Sequence, residues 1–510
     1  MYSHLRPSTR NVTLGTLAET LHGSRIIGDP ATILTDITYD SRFVRPGGLF
    51  AALIGGEVDG HDFARRAANA GAAALLVERE QDVETPQIVV SGSSRAALAI
   101  VSCECYGHPS HELTVIGITG TDGKTTTSAM LEGILQGTGH QVGAIGTVGV
   151  RIGNGDSYDL GHQTTPESNH VQRYLREMVD AGIRFAVIEA TSHGLATHRL
   201  DGVRFAMAGV TNITHEHLEY HKTIGNYRRA KATLLERVAS HGGVVVLNNE
   251  DEGARSIRGY ADGADCRTYS AMGKDADIMA VNVQMTGHGS AFDVVVGNNV
   301  LHAMLLPVPG RFNVANALCA LGLAEACGVP MIEATRALER AKPVAGRMQP
   351  VDVGQPFRVI VDYAHTPESI RTILTLLRSQ YTEGRLLVVT GSAGERDVEK
   401  RPLQGAACAQ VADITIVTSE DPRHEDPDLI IGQIVEGAVN AGAVRGETVL
   451  AITDRREAIT VAFDFAEPGD CVLLAGKGHE TSIIWGDEHR PWNEVDVAEE
   501  LLRDLAERSE

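Results

Sequence analysis

The run Thr114-Val-Ile-Gly-Ile-Thr-Gly-Thr-Asp-Gly-Lys-Thr-Thr-Thr127 constrains this chain more than any other stretch. Val115, Ile116 and Ile118 are β-branched and suit a strand buried in a parallel sheet. A glycine-bearing turn, Gly120 to Thr125, comes next. Ser128-Ala-Met-Leu-Glu-Gly-Ile-Leu135 then places apolar residues at helical spacing. Strand, glycine turn and helix together make a phosphate cradle. Glycines let backbone N–H groups converge on phosphate oxygens, and the helix N-terminus adds its partial positive charge. Lys124 is placed to reach the outer phosphates, and a hydroxyl of Thr125 or Thr126 to help hold Mg²⁺. The strict G-x-x-x-x-G-K-[ST] spacing is not met, because Ile118 stands where the first glycine belongs. The plainer alternative is a glycine turn before an ordinary helix. Two glycines, a lysine and three threonines at one strand-to-helix junction speak against it.

At 510 residues the chain has the length of about three domains. Its hydrophobic fraction of 43% is ample for packed cores, which excludes a disordered chain. No apolar run is long enough for a membrane span. Met1 to Arg10 lacks the apolar core of a signal peptide and reads as a loose extension. The seven cysteines are odd in number, and Cys103 and Cys105 form a C-x-C too tight for a usual zinc pair. Reduced thiols in a cytoplasm are therefore expected. The formal net charge of −21 excludes sequence-independent nucleic-acid binding, which needs surplus Lys and Arg. An anionic substrate has to be met by local positive spots.

Residues 11 to about 112 read as a small α/β unit. Asp40, Ser41 and Arg42 sit where a loop could grip a phosphorylated ligand, although such a triplet is more often a surface turn. Strand and helix signals keep alternating from 113 to about 344, which predicts a mostly parallel sheet covered by helices. Phe185-Ala-Val-Ile-Glu189 is an apolar strand ending in a carboxylate. Ligands in such sheets bind at carboxyl ends of strands, so Glu189 can face the cradle and bind Mg²⁺. A solvated strand-end glutamate is the alternative. Ala208 to Ile213 is a further strand candidate. Thr214-His-Glu-His-Leu-Glu-Tyr-His221 carries three histidines but lacks the H-E-x-x-H order of a zinc protease, because Leu218 follows His217. Lys231 falls in a helical pattern and reads from spacing alone as a solvated helix lysine. Asn313 and Asn316 stand near the start of another helix, where they could read a base edge or cap the helix. A boundary is expected near Lys342-Pro343. Beyond it, three strands lead into charged loops: Leu386 to Thr390, Ile414 to Thr418, and Cys471 to Ala475. That pattern predicts a second sheet whose loops build one site.

Taken together these motifs resemble the Mur ligase family, over nearly the whole chain. They are Asp40-Ser41-Arg42 with Pro46-Gly47 and Leu49-Phe50, then Thr119 to Thr126, Thr164-Thr165-Pro166, Glu189, Ser192-His193-Gly194-Leu195 and His198-Arg199. Thr211-Asn212, His217-Leu218, Ala230-Lys231, Gly346-Arg347-Met348, Asp362 to Pro367 and Gly476-Lys477-Gly478-His479-Glu480 follow in order. The resemblance implies an α/β chain of three domains. Residues 1–112 would bind a UDP-sugar. Residues 113–344 would form a central P-loop ATPase-type domain, and 345–510 a Rossmann-like domain for an amino acid. It implies ATP-dependent amide formation in the cytoplasm, by a monomer. A diamino acid would be joined to UDP-N-acetylmuramoyl-L-alanyl-D-glutamate through an acyl phosphate. Thr119, Gly120, Thr121, Asp122, Gly123, Lys124, Thr125 and Thr126, with Asn316, Arg347 and Asp362, would contact ATP. Thr125, Glu189, His217 and Lys231, the last as a carbamate, would hold Mg²⁺. Ser41, Thr164, Thr165, Thr191, Thr197 and Arg199 would contact the muramoyl dipeptide; Thr191 and Thr197 depart from the Ser and Gln often found there.

Arg396, Glu420, Asp421, Arg423, Gly476 and Glu480 match the amino-acid site. Relatives that use meso-diaminopimelate usually read Asp-Asn-Pro-Arg where this chain has Glu420-Asp421-Pro422-Arg423. Arg423 suits the distal carboxylate of diaminopimelate. Asp421 puts an anion in place of an amide, which favours the distal amine of lysine or ornithine and could occupy Arg423. Both readings stay open here. Two alternatives differ in kind: a folylpolyglutamate synthase, which would not need Ser41 to Phe50, and a catalytically silent relative that binds a partner.

Overall fold

A computed structural model describes residues 10–509 except 56–57, 154, 156, 159, 161–162, 215, 287–288, 298 and 341–343; for 286, 302–303 and 509 it describes the backbone alone. The Met1 to Thr9 extension, His215 and the boundary expected at Lys342-Pro343 lie outside the described residues. The chain divides into two compact units. One comprises Met1–Asn282, Asp293–Met304 and Val314–Glu339, and the other Val283–Phe292, Leu305–Asn313 and Arg340–Glu510.

Besides a short pair, Val12–Thr13 with Ile33–Leu34, two sheets position the site residues of the first unit. The amino-terminal sheet runs in the order Arg25–Ile27, Gln87–Val89, Ala74–Val77, Gly48–Ala51, Asp36–Thr38, parallel except for its first pair. The larger sheet places Thr114–Thr119 between Phe185–Glu189 and Phe205–Val210, flanked by Val142–Gly146 on one side and by Val244–Asn248 and Asp265–Ser270 on the other. These six strands are parallel. Every residue of Val115–Thr119 and Phe185–Glu189 is buried, the continuous apolar pattern of a sheet covered on both faces. Helices Lys124–Gly137 and Ile224–Ala239 supply cover, with Leu131, Leu135, Leu234 and Leu235 in the core. The strand expected over Ala208 to Ile213 spans Phe205–Val210 instead, because Thr211 and Asn212 turn out to hold the glycine loop.

The second unit carries a six-stranded sheet in the order Gln349–Val351, Arg358–Asp362, Cys471–Ala475, Leu386–Thr390, Ile414–Val417, Val449–Ala451. Its last five strands are parallel. The late strand Cys471–Ala475 inserts between two earlier ones, so the loops expected from the sequence emerge side by side. All seven cysteines are unpaired, and burial raises the thiols of Cys103, Cys105, Cys319, Cys408 and Cys471 to about 12. Among the described residues no helix is long and apolar enough to cross a membrane.

Candidate active site

The loop after Thr114–Thr119 is built around two glycines. Gly120 has φ +155°, and a Cβ there would stand 1.8 Å from Thr211 Oγ1. Gly123 has φ +82° and caps helix Lys124–Gly137, with Asn316 Oδ1 2.3 Å from where its Cβ would be. Only glycine fits either place. The loop is held from the neighbouring strand end. Thr121 N donates to Asn212 O at 2.7 Å and Asp122 N to Asn212 Oδ1 at 2.8 Å. Thr211 Oγ1 donates to Asp122 O at 2.6 Å. Gly123→Ala forces a left-handed residue with a side chain against Asn316. We expect it to lower stability by about 1–2 kcal/mol and to raise the KM for ATP, read from thermal melts and initial rates.

Two lysine amines meet on one carbonyl of this loop. Lys124 Nζ donates to Gly120 O at 3.0 Å and to Thr121 O at 2.7 Å, and Lys231 Nζ donates to Gly120 O at 2.6 Å. Lys231 is 1% exposed, so the solvated helix lysine read from spacing is corrected. Its helix turns this face onto the sheet, and the amine lies 4.5 Å from the Tyr227 ring centre. Burial first, and then the charge of Lys124, push the Lys231 amine well below its usual range.

The solvated reading of Glu189 is corrected as well. It is 2% exposed and receives three hydrogen bonds, from Thr125 Oγ1 at 2.9 Å, Thr147 N at 2.8 Å and Thr147 Oγ1 at 2.9 Å. Of the two candidate hydroxyls, Thr125 is the one joined to this carboxylate. Gly146 makes room for it, since a Cβ there would stand 2.2 Å from Glu189 Oε1. Threonine hydroxyls and a carboxylate are the hard oxygen donors that Mg²⁺ takes, so these residues fit that ion. His217 has Nδ1 3.4 Å from Glu219 Oε1 and its ring centre 6.4 Å from that of Tyr227, the ring that Lys231 lies against.

Several of the residues expected to meet the muramoyl dipeptide do gather. Thr164 Oγ1 lies 3.1 Å from Thr147 Oγ1, and Thr165 Oγ1 lies 2.9 Å from Thr191 Oγ1 while donating to Glu189 O at 2.7 Å. Arg199 Nη1 donates to Thr165 O at 3.0 Å, and Glu167 pairs with both Arg199 and Arg95. Thr197 stays local, its hydroxyl donating to His193 O at 2.7 Å. Ser41 is buried beside a closed Asp40–Arg42 ion pair of 2.6 Å.

In the second unit, Asp362 ends its strand and accepts Met348 N and Ala364 N, both at 2.7 Å. Arg347 lies over the Tyr363 ring, 4.7 Å from its centre. Lys477 is fully buried and donates to Asp421 Oδ1 at 2.9 Å and to Glu480 Oε2 at 2.5 Å. Ile484 N donates to the same Asp421 oxygen at 2.9 Å. The expected occupation of Arg423 by Asp421 is therefore corrected: Lys477 takes that charge. Arg423 Nε is buried with no hydrogen-bond partner among the described residues, and so is Glu420 Oε2. Burial, the largest cause, raises the Glu420 carboxyl to about 7. A Cβ on Gly476 would reach within 3.1 Å of that oxygen. Arg396 is exposed within the loop after Leu386–Thr390. A buried Arg455–Glu494 pair, with Arg455 also donating to Ala475 O at 2.8 Å, holds the strand end in place.

Three family models match the chain: the Mur ligase family catalytic domain over residues 34–103, the Mur ligase middle domain over 118–324, and the Mur ligase glutamate ligase domain over 346–478. A UDP-N-acetylmuramyl-tripeptide synthetase of Roseiflexus sp. is 43% identical, covering 92% of this chain and 95% of the relative. The chain belongs to the Mur ligase family.

The family's members are ATP-dependent, amide-bond-forming ligases, and this chain is one of them, with the three-domain α/β fold of the family. A UDP-N-acetylmuramoyl-L-alanyl-D-glutamate–2,6-diaminopimelate ligase of Bacillus licheniformis is 40% identical, covering 92% of this chain and 95% of its own. A solved structure of a ligase of that description is 28% identical with a TM-score of 0.65, covering 98% of this chain and all of the other. Thr147 and Tyr227 did not stand out in the sequence of this Mur ligase. A glycine and a hydroxyl closing the strand Val142–Gly146 were the available signal for Thr147. Tyr227 shows its role only through its OH, 3.0 Å from Thr121 Oγ1.

Proposed function

We propose that this Mur ligase joins meso-diaminopimelate to the D-glutamyl carboxylate of UDP-N-acetylmuramoyl-L-alanyl-D-glutamate, in peptidoglycan precursor synthesis. Residues 1–112 take the UDP end, 113–344 the ATP and the dipeptide, and 345–510 the amino acid. It works as a cytoplasmic monomer. One observation carries the choice of amino acid: Asp421 is already engaged by Lys477, which also pairs with Glu480, while Arg423 keeps a buried Nε with no partner among the described residues. An acidic pocket for lysine or ornithine would need Asp421 free. A carboxylate on the distal end of the substrate would satisfy Arg423. Glu420, whose Oε2 also lacks a partner, is the acceptor for an ammonium of the same molecule. The names of two relatives, which include 2,6-diaminopimelate, support the reading.

A carboxylate oxygen of the D-glutamyl group attacks the γ-phosphorus, the bond to the ADP oxygen breaks, and an acyl phosphate forms. The diaminopimelate amine then attacks the acyl carbon, inorganic phosphate leaves, and the amine loses a proton. Lys124 and the loop N–H groups follow the negative charge on the phosphoryl group. Thr125, Glu189, His217 and Lys231 would hold Mg²⁺, which neutralises phosphate charge when bound. Lys231 is poised for this role, since CO₂ adds only to a neutral amine and the product is an anion.

The reaction is tested by phosphate release from ATP with meso-diaminopimelate, L-lysine or L-ornithine, each with and without the dipeptide substrate. Release is expected only with the dipeptide present, and far faster with diaminopimelate than with L-lysine or L-ornithine. Preferred use of L-lysine or L-ornithine would reassign the amino acid, and equal release with folate and glutamate would favour the folylpolyglutamate alternative. With ¹⁸O in the D-glutamyl carboxylate, one label should appear in the released phosphate. The pH dependence has a definite sign. Glu420 titrates near 7, so it loses its charge as the pH falls. The KM for the amino acid should rise about tenfold from pH 8 to pH 6, and Glu420→Gln should flatten that profile.

A further inference from the structure

We propose that His193, His217 and Glu219 form a site for a borderline transition-metal cation of the Zn²⁺ class, with a donor set different from that of Mg²⁺. One ligand atom from each of the three lies within 4.8 Å of the other two. His217 Nδ1 stands 3.4 Å from Glu219 Oε1. Two donors held by one tetrahedral zinc at about 2.0–2.1 Å are about 3.3–3.4 Å apart, so this edge already has the length zinc requires. The His193 and His217 rings meet edge to face with centres 4.7 Å apart. His193 stands in the turn Ser192–Ala196, while His217 precedes and Glu219 lies in the turn Leu218–His221. Two separate segments therefore converge on one point.

A further imidazole lies close by. His221 is 6% exposed, its Nε2 has no hydrogen-bond partner among the described residues, and its ring centre lies 5.5 Å from that of His193. A buried ring nitrogen of this kind calls for a ligand or a water. Two imidazoles and one carboxylate leave a coordination position open, the pattern of zinc sites with a bound water. Nitrogen donors favour Zn²⁺, Co²⁺ or Ni²⁺ over Mg²⁺. The side chains of His217 and Glu219 are 39% and 44% exposed, so an ion has an open approach.

The consequence for turnover rests on the proposed magnesium set. His217 belongs to both donor sets, so a zinc ion bound here withdraws it from Mg²⁺ and slows the ligase. The test uses the full chain, stripped of metal and titrated with Co²⁺ alone. One saturable equivalent with visible d–d absorption is expected. Glu219→Ala and His193→Asn should each weaken that binding at least tenfold. No saturable binding, or equal binding by wild type and both variants, would overturn the site. In a second arm, Zn²⁺ is added to the ligase assay at saturating Mg²⁺. Glu219→Ala should need at least tenfold more zinc than wild type for half inhibition, and an equal requirement would overturn the inhibitory role. A wild type without ligase turnover would instead sink the proposed reaction, while the cobalt titration still reads the site.

Discussion

Lys231→Ala should lower ligase turnover by about 10²–10³-fold, the cost of removing one charge-stabilising group from a buried site. Excess bicarbonate should not restore it. In the wild type, burial and the neighbouring Lys124 charge push the amine well below its usual range, and it lies 2.6 Å from Gly120 O in the glycine loop. Bicarbonate supplies CO₂ to an amine, and alanine has none. A folding control is available, because a buried amine beside another cation adds little to stability. Lys231→Met keeps the volume and should melt at least as high as wild type while remaining inactive. Full activity in either variant would reject the carbamate. A protein of lower melting temperature whose activity falls only in proportion would show a packing role alone.

Arg423→Ala should raise the KM for meso-diaminopimelate about 10²-fold, from the loss of a charge-assisted pair of about 2–3 kcal/mol. It should leave the weak use of L-lysine nearly unchanged, since lysine has no distal carboxylate to lose. Asp421 sets up this difference through Lys477, which is 0% exposed and binds it at 2.9 Å. Initial rates with the two amino acids over a range of concentrations check both statements. An equal loss for both substrates would show that Arg423 supports the loop and does not read the carboxylate.

The parallel strands were legible because they are buried on both faces, and continuous runs such as Phe185–Glu189 show this without a structure. The glycine loop was legible because Gly120 and Gly123 occupy backbone conformations that other residues seldom take. The environments of Glu189 and Lys231 were not. A carboxylate at a strand end and a lysine in a helix look the same in sequence whether solvated or buried. Their burial depends on Thr147 and Gly120, which come from distant segments, and for Lys231 also on Tyr227, one turn back on its own helix. Lys477 shows the same limit, since nothing local reveals that it pairs with Asp421, 56 residues away. The His193–His217–Glu219 cluster likewise arises from two separate turns. The histidine run lacks the zinc-protease order because Leu218 follows His217, and one partner of the cluster, His193, lies outside the run.

The central claim is that the loop from Gly120 to Thr126 grips the triphosphate of ATP. Crystals soaked with a non-hydrolysable ATP analogue test it most directly. The analogue's β- and γ-phosphates should lie against the loop N–H groups, with Lys124 Nζ turned from Gly120 O and Thr121 O onto them. Phosphates bound anywhere else, with Lys124 still on those two carbonyls, would contradict the account.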